Sequence, residues 1–179
     1  MKHRIDTLYS EAELKKTLNR LGQQISQDYE NTEQLLMIGL LKGSVVFLAD
    51  LCREVSSSVE LDFMVVSSYG HRMQTSGDVR VLKDIEVDIK GRDVLIVEDI
   101  IDSGFTLSKV RQMLLLREPR SLKICTLLDK TSRREVDVPV DYVGYEVPDT
   151  FVVGYGIDWA EKYRNLPYIG KVIIEEERG

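Results

Sequence analysis

The chain has 179 residues, 43% apolar and 30% charged with only 12 Gly and 4 Pro, a makeup that suits one compact domain over 1–179 and excludes a disordered or fibrous chain. Its net charge of −6 argues against broad, sequence-independent binding to nucleic acid or anionic lipid, since either wants a basic excess. The longest apolar run, 35–41, is far below the roughly 20 residues of a membrane-spanning helix. The charged start Met1-Lys-His-Arg-Ile-Asp6 lacks the apolar centre of a signal peptide, so no membrane partner and a cytoplasmic location are expected.

Ser10 and Glu13 have the spacing of a capping box, and Leu14, Leu18, Leu21, Ile25 and Tyr29 recur at helical intervals, which predicts a helix over 11–29. The run 35–41 predicts a strand. Lys42-Gly43-Ser44 closes it, and Val45, Leu48, Leu51 and Val55 then return to a helical period. Cys52 and Cys125 lie in apolar segments too far apart for a CxxC pair or a zinc cluster and read as buried, reduced thiols. A second apolar run, 61–66, leads into the polar stretch 67–83, which contains Gly70 and Gly77. This stretch is either a mobile lid or a solvated hairpin.

Further on, 93–97 predicts a strand, 105–117 a helix with Leu107, Val110 and Leu114 on one face and Pro119 as its stop, and 122–128 another buried strand. Short strands are expected at 141–146, 151–154 and 171–175, around the aromatic and charged segment 155–168. They would form an appendage able to hood the sheet. Such alternation predicts an α/β fold with a central, mostly parallel sheet flanked by helices, whose ligands sit beyond the carboxyl ends of the strands. The loops after Leu41, Val97 and Leu128 therefore matter most. His3 and His71 belong to no catalytic or metal-ligand pattern and read as exposed.

The segment 94–106, VLIVEDIIDSGFT, is the most informative. A helix opening at Asp102-Ser-Gly-Phe-Thr106 presents unpaired N–H groups and a positive dipole end, and Ser103, Gly104 and Thr106 permit the close approach that a phosphate needs. Glu98, Asp99 and Asp102 would repel a lone phosphate, so hydroxyls or a divalent cation should share the site, and a sugar phosphate with magnesium supplies both. A capped helix after a buried strand is the plain structural alternative. Gly39 to Ser44 fails the spacing of a Walker A loop, and Gly154-Tyr-Gly156 fails as GxGxxG.

Residues 94–106 resemble the phosphoribosyl pyrophosphate (PRPP) motif of the type I phosphoribosyltransferases. The resemblance runs over nearly the whole chain, through Leu40-Leu-Lys-Gly43, Ser67-Ser-Tyr69, Leu127-Leu-Asp-Lys130 and Phe151-Val-Val-Gly-Tyr-Gly-Ile-Asp158, and is to the bacterial hypoxanthine phosphoribosyltransferases. It implies that Glu98 and Asp99 bind the ribose diol or its Mg2+, that Asp102, Ser103, Gly104, Phe105 and Thr106 hold the 5-phosphate, and that Asp102 is the general base for the purine N7 proton. Phe105 sits at a variable position.

By the same resemblance Lys42 and Gly43 form a pyrophosphate loop with a cis peptide before the lysine, and Arg164 also contacts pyrophosphate. Lys130 reads the purine O6, Phe151 stacks on the base, and the Val152 backbone meets its edge. Asp158 touches the base side or a second magnesium, and Ser68 and Tyr69 belong to the lid. Trp159 stands where the family has tyrosine. Taken alone, Lys130 would read as a solvated lysine, and Phe151 and Val152 as core strand residues.

The implied reaction is magnesium-dependent transfer of the phosphoribosyl group from PRPP to hypoxanthine or guanine in a homo-oligomer, a dimer or tetramer. A PRPP-sensing regulator of the same fold is a rival reading, although it would need a DNA-binding domain or a basic RNA surface, and the chain is acidic. A preference for xanthine is another.

Overall fold

The structure, a computed structural model, describes residues 2–68 and 79–175. In chain order its elements are β1 (His3–Tyr9), α1 (Glu11–Asp28), β2 (Leu35–Leu41), α2 (Val45–Glu54), β3 (Val59–Ser68), β4 (Val79–Lys83), β5 (Asp93–Ile101), α3 (Phe105–Leu115) and β6 (Ser121–Asp129). A 3-10 turn (Thr131–Arg133), β7 (Tyr142–Glu146), β8 (Val152–Val153) and β9 (Ile169–Ile174) complete it. Helix α1 starts at the expected capping box: the Glu13 N–H donates to Ser10 Oγ at 3.3 Å, and the Ser10 N–H donates to Glu13 Oε2 at 2.8 Å.

The central sheet has the order β4-β3-β2-β5-β6-β7, parallel throughout except where β4 pairs antiparallel with β3. Both faces are covered, which is why β2 is a continuous apolar run rather than an alternating one. Its Leu35 and Met37 face a core built with Leu14 and Leu21 of α1 and Phe47 and Leu51 of α2. Leu36, Ile38 and Leu40 face the opposite way, onto Leu107, Val110 and Leu114 of α3. Burying one such aliphatic side chain stabilises the fold by ~1.5–3 kcal/mol, so the two layers fix the sheet and with it the position of every strand end.

A second sheet, β1-β9-β8, is antiparallel and joins the two ends of the chain into the hood. Strand β7 is not part of it. The segment expected in the appendage pairs parallel to β6, with Tyr142 opposite Cys125, because Tyr142 is buried in the core of the main sheet. Strand β1 answers to no expected element, while β4 is the return strand that the hairpin reading of 67–83 allowed. Both are edge strands with charged residues interleaved among the apolar ones, a pattern that protects an edge and hides the strand from a search for apolar runs.

The stretch expected as a lid or hairpin begins and ends as paired strands, Ser67 lying opposite Arg80. Tyr69, His71 and the rest of 69–78, and the proposed lid with them, lie outside the described residues. His3 is half-buried rather than exposed, since its Nε2 lies 2.7 Å from the Tyr163 hydroxyl and its ring stands edge-on to Trp159 at 4.7 Å. Cys125 is free and fully buried, whereas Cys52 is only half-buried because Phe47, Leu48 and Leu51 form the inward stripe of α2. No helix among the described residues is long and apolar enough to cross a membrane.

Candidate active site

Strand β5 does not stop at Val97. Its pairing with β6 continues with Glu98 opposite Thr126 and Ile101 opposite Asp129, because backbone hydrogen bonding and not apolar content sets a strand's end. Glu98 and Asp99 are therefore part of the strand rather than a loop beyond it. The Asp99 N–H donates to Glu98 Oε1 at 3.0 Å and the Ile100 N–H to Asp99 Oδ1 at 2.8 Å. Burial, and then the adjacent Asp99 carboxylate, pushes the Glu98 carboxyl well above the ordinary carboxylate range. Two acids held this close are poised for a cation.

Asp102, Ser103 and Gly104 turn the chain into α3. Gly104, at φ 89, is the N-cap residue, and no side chain caps the helix. The Ser103 carbonyl accepts from the N–H groups of Glu135 and Val136 at 3.0 and 3.1 Å, so the turn is anchored from behind while the helix N-terminus faces a cavity of about 270 Å³. Glu98, Asp99, Asp102, Ser103, Gly104 and Thr106 line that cavity together with Gly43. Phe105 points away and is 43% exposed, so the cradle does not need its ring.

Gly43 enters from the turn between β2 and α2. The Leu41–Lys42 peptide bond is cis, as the resemblance implied. A Cβ on Gly43 would meet Asp99 Oδ2 at 1.8 Å, and a Cβ on Gly156, itself at φ 99, would meet the Gly43 carbonyl oxygen at 2.3 Å. The turn is thus sandwiched between the acidic strand end and the loop that runs from β8 to β9.

The remaining expected residues are not part of that lining and fall into two groups. In the first, Lys130 directly follows β6 and is almost fully buried, not solvated, with Nζ 3.9 Å from Asp102 Oδ2. Arg133, which no sequence motif singled out, reaches Asp102 Oδ1 from the other side at 2.7 Å and Asp149 Oδ2 at 3.2 Å. Phe151 follows Asp149 by two positions. Its ring is 52% exposed and edge-on to Trp159 at 5.9 Å, whereas Val152 is buried in β8.

In the second group Arg164 Nη2 lies 3.0 Å from Asp158 Oδ1 and 3.3 Å from Glu161 Oε2, and Lys42 Nζ lies 3.2 Å from that same Glu161 oxygen. Glu161 was also unforeseen. The only sequence signal for Arg133 was its place in a basic cluster just past a strand end; Glu161 had none.

No group of three or more acidic, histidine or cysteine side chains among the described residues forms a ready metal cage. The adjacent pair Glu98 and Asp99 nonetheless fits magnesium, which keeps several waters and is commonly held by one or two carboxylates plus the phosphate oxygens of a substrate. Asp158 stands apart, committed to Arg164 and to the Glu161 N–H at 2.8 Å. The arrangement can bind a sugar phosphate at a helix N-terminus, hold a cation between acids, and offer a carboxylate and an ammonium side by side to a heterocycle.

Comparison with known proteins agrees with this chemistry. Residues 4–160 match the family model described as a phosphoribosyl transferase domain. The chain is 60% identical over 178 residues to the hypoxanthine phosphoribosyltransferase of Escherichia coli (strain K12), covering 99% of this chain and all of that one. It is 52% identical over 171 residues to the hypoxanthine-guanine phosphoribosyltransferase of Bacillus subtilis (strain 168), covering 95% and 94% of the two chains. Among solved structures, a hypoxanthine-guanine phosphoribosyltransferase of Bacillus anthracis superposes with a TM-score of 0.90 at 49% identity, covering 97% of this chain and 100% of that one.

Proposed function

The chain belongs to the phosphoribosyl transferase domain family, and on that premise we propose that it transfers the 5-phosphoribosyl group of PRPP to N9 of hypoxanthine or guanine, giving IMP or GMP and pyrophosphate. The observation that carries this reading is the meeting, at one end of the sheet, of the Glu98–Asp99 pair, the uncapped N-terminus of α3 and the Lys130–Asp102 pair. Relatives named for this activity match over essentially their full length, which supports the enzymatic reading over that of a PRPP-sensing regulator.

The N-terminus of α3, with Ser103, Gly104 and Thr106, takes the 5-phosphate. Glu98 and Asp99 face the ribose diol, where bound magnesium supplies the positive charge that lets two carboxylates lie beside a polyanion. The purine N9 attacks the anomeric carbon as the bond from that carbon to the pyrophosphate oxygen breaks, and the N7 proton passes to Asp102. Lys42 and Arg164 hold the departing pyrophosphate, with Asp158 orienting Arg164. Lys130 donates to O6, and the 6-amino group of adenine offers no acceptor there. Phe151 stacks on the base while the Val152 backbone borders its edge. Most of the rate then comes from positioning and charge. We expect the protein to act in the cytoplasm as a homo-oligomer.

A panel of hypoxanthine, guanine, xanthine and adenine, each supplied with PRPP and magnesium, tests the reading. IMP and GMP should form and AMP should not. Faster use of xanthine would reassign the base, and AMP formation at a comparable rate would remove Lys130 from its role.

A further inference from the structure

Lys42 and Arg164 approach from opposite sides, one on the turn after β2 and the other on the loop between β8 and β9, and a single carboxylate joins them. Glu161 Oε2 lies 3.2 Å from Lys42 Nζ and 3.3 Å from Arg164 Nη2. The loop that delivers it is unusual: Ala160, Glu161 and Tyr163 have φ of 52, 60 and 75, in the left-handed region that L side chains rarely adopt. It is nonetheless pinned, since Trp159 and Lys162 exchange two N–H···O bonds of 3.1 Å and the Glu161 N–H donates to Asp158 Oδ2. The Glu161 side chain is 66% exposed, so it can swing away without unfolding anything.

We propose that Glu161 is an internal stand-in for pyrophosphate, an acid that occupies the two cations of the empty site, yields them to the diphosphate of PRPP, and competes with product pyrophosphate for them as it leaves. This rests on the assignment of Lys42 and Arg164 to pyrophosphate. A carboxylate so placed keeps the cations together and discourages stray anions. It also lowers the affinity for the leaving product, by competing for the same donors and by repelling a bound anion. Unit charges ~4 Å apart in water repel by an amount equivalent to about fivefold in binding, and that is the size of effect expected.

The test is the affinity of the full-length protein for magnesium pyrophosphate, by calorimetry and by product inhibition. Glu161→Gln should bind pyrophosphate at least about fivefold more tightly and release it more slowly, with an unchanged melting temperature. Glu161→Gly, which suits the left-handed backbone, should tighten binding in the same direction. General damage to the loop would weaken binding, so the sign separates competition from a structural role. Unchanged or weaker pyrophosphate binding in both variants would overturn the proposal, provided that Lys42→Met binds pyrophosphate more weakly than the parent. If Lys42→Met were also unaffected, the assignment of the cation itself would fail, and the proposal with it.

Discussion

Not even a methyl group fits between Gly43 and Asp99, for a Cβ on Gly43 would stand 1.8 Å from the Asp99 Oδ2 atom. The obstacle is the end of a side chain, which can rotate, so Gly43→Ala should fold with a loss below ~1 kcal/mol. Its cost should appear in function. A displaced acid at a site that depends on placement can lower turnover by ~100-fold, and steady-state kinetics with PRPP would show it. Gly156→Ala should behave in the opposite way. There φ is 99 and the obstacle is the Gly43 backbone, so the loss should reach ~2 kcal/mol or more, a fall in melting temperature of roughly 4–8 °C.

Arg133 holds Asp102 Oδ1 at 2.7 Å and leaves Oδ2 on the side of Lys130. The pair is about half-exposed, and such solvent-screened pairs contribute little to stability, so Arg133→Ala should melt close to the parent. If the arginine sets which oxygen meets the purine N7, kcat should drop about tenfold while the KM for PRPP stays nearly constant. An unchanged kcat would reduce Arg133 to a surface ion pair.

Acid sensitivity should come in part from the far end of the sheet. Arg120, with Thr32 and Ser121, holds the Asp93 carboxyl far below its ordinary range, the two hydroxyls each donating at 2.7 Å. A carboxylate with a depressed folded pKa contributes stability that is complete above its unfolded value, near 3.8, and is lost as pH falls below it. Asp93→Asn should therefore cost about 2 kcal/mol near neutrality and flatten the loss of stability between about pH 4 and pH 2 in denaturant titrations. An equally steep acid limb in parent and variant would place the sensitivity elsewhere.

The sequence was most legible where one local rule dominates. Ser10 and Glu13 start α1 by a fixed spacing, and β2 is apolar at every position because two helical layers cover it. Glu98 to Thr106 combined acids, small residues and a helix start within a single segment, and the cavity gathers those same residues. Edge strand β1 was hidden because its pairing partner, not its own composition, makes it a strand. Lys130, Phe151 and Arg164 look like ordinary surface or strand residues in isolation and stood out only through resemblance. Arg133 and Glu161 stayed invisible, since each matters through a contact with a residue that only the tertiary fold brings near.

The most direct measurement of the central claim is product formation from hypoxanthine and PRPP, with IMP and pyrophosphate quantified in parallel, with magnesium and in excess chelator. The account predicts one pyrophosphate per IMP, activity that vanishes with chelator, and no turnover in the Glu98→Ala, Asp99→Ala double variant. Absence of IMP in the parent protein, or full activity in excess chelator, would contradict it.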